Sequence, residues 1–233
     1  GLLDGDGLLV DLTGMDAFEA ALAEISAVTG GLAITVGNVA ETSTPWRFFW
    51  TLYNQIEGVT PFLEDDGATI SVDEAAFLEV MGRISSWVEQ GWLNSALDYA
   101  TSQTTMFTGD SGFYLQGEWE ISTAQSIEGL EFGMAPIPQV YDRPAVQADS
   151  HVFILPHKER TPAQRRQAME FIKTMLEQSM TWAEGGHVPS YLPTAESAEY
   201  LSLEPQQYYA ETADYAVYDD PAWYGGSGST FEA

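Results

Sequence analysis

Between Phe107 and Ser122 the chain reads FTGDSGFYLQGEWEIS, a strand that stops at glycine followed at once by a helix start. Small residues at Gly109, Ser111 and Gly112 lead into the apolar Phe113, Tyr114 and Leu115, and Gly117 breaks the run. Glu118 and Glu120 stand where the first turn of a helix favours negative charge. A junction of this kind leaves few folds open. Short strands must alternate with helices, and a large aromatic, Trp119, is carried on the rigid edge between the two. That edge suits stacking against a flat ligand.

The rest of the chain keeps the same alternation. Phe18, Leu22 and Ile25 recur at helical spacing from Gly14 to Val28, and Gly30-Gly31 ends the element. Leu32 to Val36 is a short β-prone run. Pro45 fits the first position of a helix through Trp46, Arg47, Phe49, Trp50, Leu52 and Tyr53, aromatic on more than one face. Ser71 with Glu74 makes a capping box for an amphipathic helix through Ala76, Phe77, Val80, Ile84 and Trp87, which Gly91 stops. A polar linker is expected at 94–103, with strands at Phe132–Pro136 and Val152–Leu155. Thr161-Pro162 opens a helix with Ala168, Phe171, Ile172, Met175 and Leu176 on one face. After Gly185-Gly186 the chain is irregular and rich in tyrosine. Strands alternating with helices give an α/β class, helix-rich with short strands.

Composition narrows the function. Eight basic residues against 35 acidic ones leave a formal charge of −27, which opposes binding to nucleic acid or to an anionic membrane surface. Five of those eight, Lys158, Arg160, Arg165, Arg166 and Lys173, fall in one stretch, which marks a change of surroundings near residue 150. With no cysteine, disulfides and thiolate chemistry are excluded. No apolar run reaches the roughly 18 residues of a membrane span, and the opening GLLDGDG lacks the features of a signal peptide. The two aspartates there miss the third ligand and the glutamate of a calcium loop.

Catalytic readings fare poorly. A glycosidase needs two carboxylates facing across a sugar-sized gap, whereas Glu118 and Glu120, two apart on a helix, point in different directions. The histidines His151, His157 and His187 adjoin no serine-nucleophile motif. His151 and His187 flank the basic helix, yet two histidines without a placed carboxylate make a weak metal site, and no metal or cofactor is expected. Of the seven tryptophans, Trp87 and Trp182 are assigned to structure. Trp46, Trp50, Trp119 and Trp223 each adjoin a loop, a helix start or a glycine, the positions from which side chains reach ligands.

In order along the chain stand TPWRFFWTLYNQIEG (44–58), VEQGWLN (88–94), MFTGDSGFYLQGEW (106–119), FGMAPIP (132–138), SHVFILP (150–156), AMEFIKTML (168–176) and GGHVPSYLPTAES (185–197). Together they resemble the extracellular solute-binding proteins of bacterial ABC importers, in the family 1 sugar-binding branch. The resemblance implies a periplasmic-binding-protein-like fold of type II, here mainly its C-terminal lobe. It implies that residues 1–147 form the first part of that lobe, that 148–186 cross into the N-terminal lobe, and that 187–233 return. Most of the N-terminal lobe would then be absent from this chain.

By the same resemblance Trp119 is a sugar-stacking platform, with Trp46, Arg47 and Trp50 on another cleft segment. Gln116 and Glu118 would bond hydroxyls, Asp149 and His151 would lie at the crossover, and Trp223 and Tyr224 would supply a late aromatic. The implied protein is no enzyme. It binds an oligosaccharide, delivers it to the permease subunits of an ABC transporter, and works outside the cell membrane or in the periplasm. Membrane contact would come only through a lipid anchor that this chain does not carry. The rival expectation is a secreted glycoside hydrolase or lyase using Glu118 or Glu120.

Overall fold

Where hydrophobic residues crowd every face of a helix, the helix must be buried, and Thr44–Gln55 (α2) illustrates this. Trp46, Phe48, Phe49, Trp50, Leu52 and Tyr53 are all buried there. Their rings pack in series. Trp46 stacks on Trp50 with centroids 5.1 Å apart, Trp50 stacks on Tyr53 at 5.7 Å, and Phe62 meets both Trp50 and Tyr53 edge-on. The computed structural model describes residues 2–5, 8–39, 44–64 and 66–219.

Around this helix, in chain order, lie Met15–Thr29 (α1), Ile34–Thr35 (β1), Glu74–Glu89 (α3), Tyr99–Phe107 (α4) and Phe113–Tyr114 (β2). Gly30 closes α1 in the left-handed conformation, with φ of 79°, and its N–H bonds the Ser26 carbonyl. β1 pairs in parallel with β2, Ile34 opposite Phe113, and Leu93 bridges to Ile34 on its other side. Asn94, itself buried, extends this edge. Its side chain accepts from the Val36 N–H at 2.8 Å and donates to the Val36 carbonyl at 2.9 Å. A second parallel pair joins Val146–Gln147 (β3) to Ala216–Val217 (β4).

The chain divides into two compact units. The first comprises residues 1–116, 135–148 and 214–233, and holds α1 to α4 with both strand pairs. The second comprises 117–134 and 149–213. It carries a 3₁₀ turn at Glu118–Glu120 that runs into Ile121–Gln125 (α5). Pro162–Glu177 (α6), Ser179–Glu184 (α7), Leu192–Ala195 (α8) and further 3₁₀ turns follow, the last of them, Ala210–Tyr215, crossing back into the first unit.

Several sequence expectations change. The cap of α3 is Asp73, whose carboxylate accepts from the Ala76 N–H at 3.1 Å. Ser71 is occupied elsewhere, its N–H on the Phe62 carbonyl and its own carbonyl on the Thr60 hydroxyl. The expected linker at 94–103 runs into α4, capped by Asp98 through the Thr101 N–H at 2.7 Å. Neither 132–136 nor 152–155 forms a strand, because no described segment offers either one a ladder partner.

Candidate functional site

In the second unit the junction read from the sequence is a tight clamp. Gly117 precedes the 3₁₀ turn, and the indole of Trp119 folds back over it. A methyl group on Gly117 would meet Trp119 Cζ3 at 2.0 Å, so glycine is what lets the ring lie on the backbone. The ring is therefore backed by main chain at Gly117. Trp119 as a whole is about 37% exposed. Glu120, one turn face away, is buried, and burial pushes its carboxyl above the usual range.

The Glu118 carboxylate points to a second segment. Its Oε1 lies 2.7 Å from His187 Nδ1. His187 can come that close because Gly186 before it has φ of 111° and packs against the Glu118 carbonyl. A side chain at 186 would overlap that oxygen. The Gly186 carbonyl in turn accepts from the Tyr209 hydroxyl. Burial raises the Tyr209 phenol, and it pushes Tyr200 up to about 12, with the Glu118 charge adding to both.

The His187 imidazole is itself held by aromatic rings. It stacks on Trp182 with centroids 4.7 Å apart and planes 23° from parallel. His151 stands edge-on to Trp182 at 5.5 Å and tilted against His187 at 5.5 Å. Trp182, assigned to structure from the sequence, is half exposed at 51% and forms the outer face of this stack. The unit thus presents a partly exposed indole, an oriented carboxylate and a second exposed indole. That is a set suited to hydroxylated rings, whose C–H faces stack while their O–H groups donate to carboxylate. Among the described residues no group of three or more His, Asp or Glu could hold a metal ion. No helix there is long and apolar enough to cross a membrane.

Of the remaining candidates, Trp46, Arg47, Trp50 and Gln116 belong to the first unit. Trp46 and Trp50 are 2% and 4% exposed within the α2 aromatic stack of the first unit, and Trp46 Nε1 donates to Asp219 at 3.0 Å. Arg47 and Gln116 are half-buried in the same unit, and the Thr44 hydroxyl lies 3.5 Å from Gln116 Oε1. Asp149 is exposed and accepts from the Ser150 N–H at 2.7 Å. Trp223 and Tyr224 lie outside the described residues. The sequence reading missed His187 and Trp182 as site residues. The signal available was the paired glycine before the histidine, which marks a close backbone approach.

Comparison with known proteins agrees with the fold. The profile of the family described as "Bacterial extracellular solute-binding protein" matches residues 3–213. A search of curated protein sequences found no match. Among solved structures the chain is similar to a cyclic alpha-maltosyl-1,6-maltose binding protein from Arthrobacter globiformis, at 22% identity and a TM-score of 0.72. That alignment covers 94% of this chain and 57% of the neighbour, so the chain spans a little over half of its length.

Proposed function

The chain belongs to the bacterial extracellular solute-binding proteins, and on that premise we propose that it is the oligosaccharide-binding component of an ABC importer. One observation carries the reading: the Trp119 indole lies over Gly117, partly exposed, next in sequence to a carboxylate that His187 holds in place. A sugar ring covering one indole face removes roughly 100 Å² of apolar surface from water, about 2–3 kcal/mol. Glu118 Oε2 then accepts from a ring hydroxyl. Two such ring contacts with hydroxyl bonds reach the micromolar range, about 8 kcal/mol.

The structural neighbour binds a cyclic maltosyl-maltose, which supports an α-linked glucose oligomer as the first ligand to try. The burial of Trp46 and Trp50 favours a packing role for both, while Arg47, Gln116, Asp149 and His151 remain proposed contacts. In this reading the bound protein docks on the permease from outside the membrane, and a lipid anchor tethers it there. The carboxylates serve as hydroxyl acceptors, not as acid catalysts.

The test is a tryptophan-fluorescence titration of the protein as its gene encodes it, against linear and cyclic maltooligosaccharides and a panel of other oligosaccharides. Saturable quenching or enhancement with unchanged sugar after incubation is the expected result. Release of shortened products, abolished by Glu118→Gln, would move the protein to the glycosidases.

A further inference from the structure

Which ring nitrogen of His187 carries the proton follows from its partner. A carboxylate only accepts, so Nδ1, 2.7 Å from Glu118 Oε1, is the nitrogen that holds a hydrogen and donates it. Among the described residues Nε2 has no hydrogen-bond partner. A proton taken up by the ring therefore arrives at Nε2, and the bond from Nδ1 to Glu118 persists while changing in kind. With the imidazole neutral, the pair carries one negative charge, centred on the carboxylate. With the imidazole charged, the same contact is an ion pair of zero net charge, joined by the stronger bond of two ionised groups.

Each element packed on His187 bears on that charge. Glu118, on the 3₁₀ turn, favours the imidazolium. So does Trp182 on α7, whose ring lies 4.7 Å away and 23° from parallel, since the face of an indole attracts a cation. His151, on the segment after 148, opposes it, because two imidazolium rings with centroids 5.5 Å apart would repel. Behind Gly186, the Tyr209 phenol and its neighbour Tyr200 are raised by burial, so both stay neutral while histidine titrates. Glu184 at the end of α7 and Asp149 before His151 are exposed, and solvent screens them. Glu120, buried in the 3₁₀ turn with its carboxyl raised, is the rival source of a pH effect.

We infer that His187 is a positioning residue that couples oligosaccharide binding to pH through Glu118, an inference that rests on the binding function proposed above. While the imidazole is neutral, the full charge of Glu118 is offered to a donating sugar hydroxyl. Once the imidazole is charged, it competes with the hydroxyl for that charge. The sugar thus prefers the neutral ring, and by linkage its binding expels protons in the middle of the histidine range. Affinity is high above that range and declines as pH falls through it. A hydroxyl bond to a charged acceptor exceeds one to a neutral acceptor by an amount that corresponds to about fivefold in affinity.

The experiment is calorimetric titration of the protein as its gene encodes it, with the linear and cyclic maltooligosaccharides and the wider panel named above. The range is about pH 5.5 to 8, above the ordinary titration of carboxylates. Two buffers of different ionisation enthalpy count the protons released. The expected result is affinity about fivefold weaker at the acid end, with protons released near the midpoint. His187→Gln, whose amide still donates to Glu118, should bind with an affinity independent of pH. His151→Gln should keep the dependence and move its midpoint to higher pH. In the free protein, nitrogen NMR shifts at the alkaline end should place the His187 proton on Nδ1. A proton on Nε2 instead overturns the inference, as does a pH dependence that survives in His187→Gln and vanishes in Glu120→Gln. Saturation with the same affinity at every pH overturns it and leaves the oligosaccharide reading standing. Absence of saturation with every sugar at every pH overturns both.

Discussion

His187 Nδ1 lies 2.7 Å from Glu118 Oε1, joining two segments 69 residues apart within one unit. The bond fixes one carboxylate oxygen, and the stacked Trp182 keeps the imidazole from rotating away. A double-mutant cycle of Glu118→Gln and His187→Ala should therefore show coupling in chemical denaturation of about 1 kcal/mol. Additive effects would mean that the contact orients nothing.

The approach of the two segments depends on Gly186. Its φ of 111° is strained for any other residue, and an added methyl would sit 2.1 Å from the Glu118 carbonyl oxygen. Gly186→Ala is expected to cost about 2 kcal/mol or more, with the loss confined to the second unit. Hydrogen exchange resolves this: amides of α5 and α7 should open faster, while those of α2 stay as they are.

Much of the local structure follows from short-range rules that a sequence displays. The α1 stop at Gly30, the proline start of α6 and the glycine before Trp119 each depend on one residue and its neighbours. What was not legible depends on distant partners. Whether 152–155 becomes a strand is decided by whether a second strand is present, not by its own β-propensity. The α4 segment YATSQTTMF has little apolar periodicity, and only its Asp98 cap announces it. Trp182 has the same side chain whether buried or exposed, and its place beside His187 depends on a turn that brings residues 185–187 back onto Glu118.

Gln55 is fully buried and ties α2 to the loop that follows 138. Its Nε2 donates to the Pro138 carbonyl at 3.0 Å, and its Oε1 accepts from the Val140 N–H at 2.8 Å. Gln55→Leu keeps the bulk but leaves a buried N–H and a buried carbonyl without partners. The expected loss is about 2–4 kcal/mol, seen as a lower denaturation midpoint of the first unit.

Tyr200 gives the second unit an alkaline limit. Its phenol is pushed up to about 12 by burial and by Glu118, and Tyr209 is raised further. A group whose pKa is higher folded than unfolded stabilises fully below the unfolded value, near 10, and loses that contribution as pH rises to the folded value. Stability should fall between about pH 10 and 12, with Tyr200 alone accounting for up to about 2–3 kcal/mol. Phenolate absorbance checks it: in Tyr200→Phe the late-titrating fraction shrinks and the alkaline loss is smaller.

Trp119 is the decisive position for the binding reading, and two substitutions there separate stacking from folding. Trp119→Ala removes the platform, and because the residue is about 37% exposed, unfolding should shift little. A lost ring face of about 2–3 kcal/mol corresponds to sugar affinity weakened by at least tenfold in calorimetry. Gly117→Ala leaves the indole present but displaces it, since the new methyl occupies the space of Cζ3. It should weaken affinity by a similar factor while leaving helix α5 in place. If both variants bind as the parent does, the sugar does not stack on Trp119. If only Trp119→Ala weakens binding, the indole matters but its backing by Gly117 does not.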